Sequence, residues 1–232
     1  MEWSCKVAAG GRGFARIATG TLRRVCGRIL IAATLIALPR CMTSDVFAGP
    51  VRVGLFDTRE LHSTNLAPFT KRRGMLTRFE REFAACRLVH CRLYEWQHLV
   101  ASLRGRSEMA QLTLVNRTVN RYRYVDDWTS WDIADYWETP LQLFDRRSGD
   151  CEDFAVAKYL ALRAVGIPAD DMRVVVVNDH ARHRMHAILA VYAGKRVLIL
   201  DSLYDAIVDA AVIDHYEPIY SINERGWWLH RH

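Results

Sequence analysis

The chain of 232 residues is predicted to fold as α+β, on three observations. Apolar residues recur at three-and-four spacing through the first half, which is helical periodicity. Short apolar runs bounded by turn residues occupy the last third, which suits strands. Helices therefore come first and antiparallel strands afterwards, the pattern of an α+β domain.

Taken in order, residues 49–74 read as an extended leading segment broken by Gly54, Pro68 and Gly74. Met75 to Leu103 reads as helical, with Leu76, Phe79, Phe83, Leu93, Trp96, Leu99, Val100 and Leu103 in register, and an interruption at Cys86–Cys91. Ser107 is a candidate N-cap for a helix to Tyr122 that carries Met109, Leu112, Val115 and Val119 on one face. Tyr122 to Pro140 mixes Tyr124, Trp128, Trp131, Tyr136 and Trp137 with Asp126, Asp127, Asp132, Asp135 and Glu138. Such a segment suits a cleft wall and amphipathic packing over the core equally well. Ser148 or Asp150 can cap a helix from Cys151 to about Val165. Phe154, Ala155, Tyr159, Leu162 and Val165 lie on its buried side, and Gly166 with Pro168 stops it. Strands follow at Arg173–Val177, His186–Tyr192 and Arg196–Asp201, the last two joined by Ala193-Gly194-Lys195. A strand at Pro218-Ile219-Tyr220 and the Trp227-Trp228 pair close the chain.

Half the residues are hydrophobic and a quarter charged, enough for a core and against global disorder. The net charge of +6 is concentrated at the front. Residues 1–48 hold seven of the 32 basic side chains and two of the 26 acidic ones, which leaves 25 against 24 for the body. A nearly neutral body gives no electrostatic footprint for nucleic acid. The front itself has the pattern of an export signal: basic Arg23, Arg24 and Arg28, then the uncharged run Ile29–Leu38, then Val46-Phe47-Ala48 before Gly49. Ten apolar residues are too few to span a bilayer. Residues 1–48 are thus expected to be a signal peptide or export segment, and residues 49–232 one domain in the periplasm with no stable membrane span. Setting aside Cys5, Cys26 and Cys41 with that segment leaves Cys86, Cys91 and Cys151. An oxidising compartment would pair Cys86 with Cys91 across a turn and leave Cys151 as the odd, free thiol.

Gly149-Asp150-Cys151-Glu152-Asp153-Phe154 carries the chemistry, together with His186 and Asp201. A cysteine opens a helix, a histidine heads a strand, and an aspartate ends the next. Thiolate catalysis needs those three groups: a nucleophile, a base for its proton and a carboxylate to orient the base. The helix N-terminus favours the thiolate and offers amides to an oxyanion. Asp150, Glu152 and Asp153 oppose thiolate formation. Either they cap the helix and point away, or some of them, Asp150 and Glu152 from either side of the cysteine, hold a hard cation such as Ca²⁺ that cancels their field. His180, His183 and His186 have a spacing that suggests zinc only on a helix, and Asn178, Asp179 and Arg182 mark a polar loop there instead.

At these residues the sequence resembles the bacterial transglutaminase-like cysteine peptidases. The likeness rests on Asp135-Tyr136-Trp137-Glu138-Thr139-Pro140, on Gly149 to Ala155 with Lys158-Tyr159, and on Leu200-Asp201-Ser202-Leu203. Pro218 to Asn223 and Trp227-Trp228-Leu229 extend it from about residue 75 to the C-terminus. Ser202 stands where an asparagine is usual and Gln142 where a glutamate is common. The resemblance implies a papain-like/transglutaminase core with Cys151, His186 and Asp201 as a triad and Ca²⁺ at Asp150 and Glu152. It also implies cleavage of a large surface adhesin that controls biofilm attachment, and sequestration by an inner-membrane cyclic-di-GMP receptor. Two other expectations keep the same core: acyl transfer to an amine, as in transglutaminases, or a non-catalytic, calcium-stabilised interaction protein.

Overall fold

The structure, a computed structural model, describes residues 52–53, 55–86 and 93–232. The export segment expected at 1–48, Cys91 and most of the 86–91 interruption lie outside the described residues. The leading segment is less extended than expected. β1 (Arg52–Val53) and β2 (Arg59–Ser63) flank a short 3-10 turn, and helix α1 already begins at Thr70 and runs to Cys86. Gly74 therefore sits inside a helix that the sequence starts at Met75. Buried Phe69 and Met75 anchor its first turns in the core and override the local breaker. Helices α2 (Leu93–Leu103) and α3 (Glu108–Val119) follow as expected. Ser107 occupies the N-cap position of α3 without a side-chain hydrogen bond.

The aromatic and acidic segment folds into β3 (Arg123–Tyr124) and the one-turn helix α4 (Asp127–Trp131). Helix α5 (Pro140–Arg146) was not anticipated. Its start is written in Thr139-Pro140-Leu141-Gln142: Thr139 accepts from the Gln142 amide, and the Gln142 side chain accepts from the Thr139 amide. Gln142 thus fills the role in which a glutamate is common. β4 (Ser148–Gly149) pairs in parallel with β3 and leads straight into α6 (Cys151–Ala164). Gly166 at φ +101 takes the left-handed conformation that ends this helix.

The remaining strands are β5 (Met172–Asp179), β6 (Arg184–Ala193), β7 (Arg196–Leu200), β8 (Val208–Asp209), β9 (Tyr216–Ile222) and β10 (Trp227–Arg231). With β1 and β2 they form one sheet in the order β1-β2-β10-β9-β5-β6-β7-β8, antiparallel throughout. The β6–β7 hairpin closes Ala193 on Arg196, so its turn is Gly194-Lys195, with Gly194 at φ +63.

The central strands are buried on both faces, which explains the unbroken run Val174-Val175-Val176-Val177. Val174 and Val176 face the helices and join the main core, while Val175 and Val177 join a second cluster with Ile188, Ala190, Ile199 and Leu55. Helix α6 is central to the main core. Cys151 through Tyr159 are all buried, as are Ala161 and Leu162. A helix covered nearly all round, with Glu152, Asp153 and Lys158 among its buried side chains, lies inside the domain. Fully burying a side chain such as Leu162 contributes roughly 1.5–3 kcal/mol. Val165, expected on the buried side, is only half-buried at the C-cap. Among the described residues no helix is long and apolar enough to cross a membrane.

Candidate active site

Cys151 is the first residue of α6 and is fully buried. Gly149 makes this placement possible. A Cβ there would lie 2.7 Å from Leu143 Cδ1 and 2.8 Å from Asp153 Oδ2, so only glycine lets β4 pass this close to the first turn of α6. The sulfur faces β6 and accepts the Ala187 N–H at 3.2 Å. Ala187 follows His186 directly, so the strand carrying the histidine is also the strand touching the sulfur.

His186 sits opposite Val177 in the β5–β6 ladder and is buried. Its Nε2 lies 2.8 Å from Asp201 Oδ1, which leaves Nδ1 as the other ring nitrogen. Asp201, just beyond the end of β7, also accepts the Leu203 N–H on Oδ1 at 2.9 Å and the Tyr216 hydroxyl on Oδ2 at 2.6 Å. Asn120, the C-cap of α3, donates to the Asp201 carbonyl at 2.9 Å. Burial pushes the Asp201 carboxyl up, but the hydrogen bonds from His186, Tyr216 and Leu203 outweigh it and bring it down to about 2. His186 thus meets Asp201 at the end of β7, and the residue after His186 meets Cys151 at the start of α6.

The expected free thiol is not observed. Cys151 is disulfide-bonded, as is Cys86. Nucleophilic chemistry at this sulfur therefore requires its reduced form.

Behind the cysteine lies a buried acidic cluster. One oxygen each from Asp127, Asp150 and Asp153 fall within 4.8 Å of one another, and so do one each from Asp127, Asp135 and Glu152. Asp150 and Glu152 were anticipated. Asp127, Asp135 and Asp153 complete two groups that share Asp127. The signal for Asp127 and Asp135 was the acid-rich stretch at 122–140, which sequence spacing does not aim at any one point. Asp153 caps the helix: its Oδ2 accepts the Asp150 N–H at 3.1 Å and its Oδ1 the Glu138 N–H at 2.7 Å. Asp127 Oδ2 accepts the Tyr136 N–H at 2.6 Å. Burial first, and neighbouring carboxylates second, hold Asp150, Glu152 and Asp153 well above the usual carboxylate range. Burial likewise lifts Asp127 to about 6 and Glu138 to about 7. Asp150 Oδ1 is buried with no hydrogen-bond partner among the described residues. An all-carboxylate set with an orphaned oxygen and mutual repulsion is the donor chemistry that suits a hard dication.

His180 belongs to neither group. Its Nε2 meets Glu217 Oε2 at 2.9 Å on the exposed surface, and His183 turns the β5–β6 loop at φ +51. The aromatic segment divides: Trp137 is buried in the main core, while Trp128 and Tyr124 are exposed. Tyr124 pairs with Gly149, two residues from the cysteine, under the Arg184 guanidinium at 5.7 Å.

The sequence profile of the bacterial transglutaminase-like cysteine proteinases matches residues 81–228. The chain belongs to that family. This transglutaminase-like cysteine proteinase is similar to LapG of Legionella pneumophila at 36% identity and a TM-score of 0.55, over 60% of this chain and 77% of that one. The EGTA-treated form of the same LapG gives 36% identity and a TM-score of 0.55, over 60% of this chain and 75% of that one. The calcium-bound form gives 32% identity and a TM-score of 0.57, over 65% of this chain and 87% of that one. A search of curated proteins found no match. The proteinase is a cysteine peptidase by family, and its mixed helices and antiparallel sheet agree with its structural relatives.

Proposed function

We propose that this chain is an exported cysteine endopeptidase in which Cys151 is the nucleophile, His186 the base and Asp201 the group that orients the base. The observation that carries the reading is the hydrogen bond from His186 Nε2 to Asp201, on a strand whose next amide touches the Cys151 sulfur. With the thiol reduced, His186 takes its proton and the thiolate attacks the peptide carbonyl, forming a C–S bond. The first-turn amides of α6 face the oxyanion. His186 returns the proton to the departing amine. It then takes a proton from water, whose hydroxide breaks the C–S bond and frees the acid and the thiolate. Asp201 keeps its charge throughout and fixes the imidazole in one tautomer.

Calcium at the acidic cluster fits the same reading, supported by the orphaned Asp150 oxygen and by the existence of a calcium-bound LapG. Asp150 and Glu152, with Asp127, Asp135 and Asp153 around them, would hold it. A bound Ca²⁺ supplies positive charge that offsets the carboxylates beside the thiolate. The substrate we propose is a large cell-surface adhesin, cleaved in the periplasm to release biofilm attachment. The regulatory partner we propose is an inner-membrane cyclic-di-GMP receptor, and residues 1–48 are the export segment. Resemblance to LapG-type peptidases supports the substrate and the partner, and the basic residues followed by the apolar run Ile29–Leu38 support the export.

The test incubates the reduced, calcium-loaded chain with the N-terminal region of a candidate adhesin. Cleavage by the parent and none by folded Cys151→Ala is expected. Equal cleavage by Cys151→Ala removes the mechanism. A primary amine added to the assay and recovered in the product would make the enzyme an acyl transferase instead. A parent inert toward both peptides and thiol-directed reagents would leave only a calcium-stabilised interaction protein.

A further inference from the structure

The carboxylate of Asp201 needs more than the imidazole to stay in place. A terminal sp³–sp² torsion is soft, so an aspartate held at one oxygen can swing. Oδ1 already carries two donors, His186 Nε2 and the Leu203 amide. Oδ2 is fixed by the Tyr216 hydroxyl at 2.6 Å, a short bond of the charge-assisted kind. We infer that Tyr216 is the positioning residue of the catalytic carboxylate, locking Asp201 Oδ2 so that Oδ1 stays aimed at His186. The inference rests on the peptidase reading of Cys151, His186 and Asp201.

Tyr216 is itself immobile. It opens β9 opposite Asp179, is buried, and meets the Phe56 ring edge-on at 6.2 Å and the His215 ring at 4.4 Å. Its ring centroid lies 6.0 Å from that of His186, so one tyrosine flanks both partners of the pair it steadies. The charged groups around it are Asp201, Asp179 and Arg182, and Lys158 of α6 bears on Asp201 from the helix side. Burial first, then the Asp201 charge, hold the phenol far above its ordinary range. The hydroxyl is therefore a donor at every pH where the enzyme works. Removing it would leave a buried carboxylate oxygen short of this donor, the expensive way to lose a hydrogen bond.

Two readouts on Tyr216→Phe test this. The first is the low-field imidazole N–H resonance of the His186–Asp201 pair, identified by its disappearance in His186→Ala. The second is steady-state cleavage. Tyr216→Phe is expected to move the resonance and to lower kcat about tenfold while KM holds, because the side chain acts through Asp201 and not on substrate. Should Tyr216→Phe fold poorly, 3-fluorotyrosine placed at 216 keeps the ring, donates more strongly and is expected to move the resonance the opposite way. An unmoved resonance overturns the inference, even with kcat reduced, since the tyrosine would then act only through packing. A moved resonance with kcat intact in an active parent also overturns it. A moved resonance in a parent that cleaves nothing upholds Tyr216 and sinks the peptidase reading instead.

Discussion

Withdrawing calcium at neutral pH strikes the acidic cluster where the fold is most exposed to its own charge. Asp127, Asp150, Glu152 and Asp153 are all buried around the first turn of α6. Asp127 shows the scale: burial lifts it from an ordinary value near 4 to about 6. That lift corresponds to about 3 kcal/mol for charging it at pH 7, reduced to roughly 1–3 kcal/mol by solvent screening. A carboxylate whose folded pKa is raised contributes stability below its unfolded pKa near 4 and loses it as pH rises through the folded value. The ion-free chain is accordingly weakest at neutral pH, and a dication among these oxygens reverses the sign. At 100 times its dissociation constant a bound ion adds about 2.7 kcal/mol. For a chain of this length that is a rise in Tm of roughly 5–10 °C. Scanning calorimetry in calcium and in EGTA, at pH 7.5 and pH 5.0, reads it directly. The gap is expected at pH 7.5 and narrows at pH 5.0, where protons begin to replace the ion. Asp127→Asn should raise Tm in EGTA and shrink the gap. Identical melting in calcium and EGTA at pH 7.5 would refute the cation and the electrostatic argument behind it.

Two further predictions concern the ground on which the site stands. Gly149→Ala drives a methyl against Leu143 and Asp153, so we expect about 1–3 kcal/mol of destabilisation by urea unfolding and a loss of activity as the start of α6 shifts; a variant of parental stability and activity would contradict the close approach. Lys158 is fully buried on α6, its Nζ has no hydrogen-bond partner among the described residues, and burial lowers it to about 7. The native state then releases its proton before the unfolded chain does, so stability should climb with pH from about 7 to 10.5, by at most about 5 kcal/mol. Lys158→Met should flatten that climb in urea melts at pH 7 and 9, and an unchanged slope would count against a buried lysine.

The legible parts of this molecule were those with local cause. A cysteine opening α6 after Asp150, a glycine and proline ending it, and the Gly194 hairpin are written within a few residues of where they act. So were the short apolar runs that feed β5, β6 and β7. Helix α5 was legible too, in the Thr139–Gln142 capping box, but the aromatic run around it hid a seven-residue helix. The early start of α1 was not legible, because Phe69 and Met75 are buried by distant partners that no local pattern announces. Nor was the pairing of β2 with β10, which sets Ser63 opposite Trp227 from the far end of the domain. At the site, Cys151, His186 and Asp201 could be picked out from residue type and order. Tyr216 could not, since β9 lies two strands from β6 and its hydroxyl meets a loop residue beyond β7. Asp127 and Asp135 were visible as acids and invisible as a cluster, since loops set their convergence.

The central claim is that one imidazole activates one sulfur, and labelling of Cys151 tests it most directly. An ordinary thiol with pKa near 8.5 is about 3% thiolate at pH 7. A cysteine paired with His186 is expected to be largely ionised. The measurement is the rate at which a thiol-directed electrophile modifies Cys151 in the reduced, calcium-loaded chain at pH 7, read by peptide mass, in the parent and in His186→Ala. The account predicts fast labelling that falls about 30-fold in His186→Ala. Equal rates in the two proteins would contradict it.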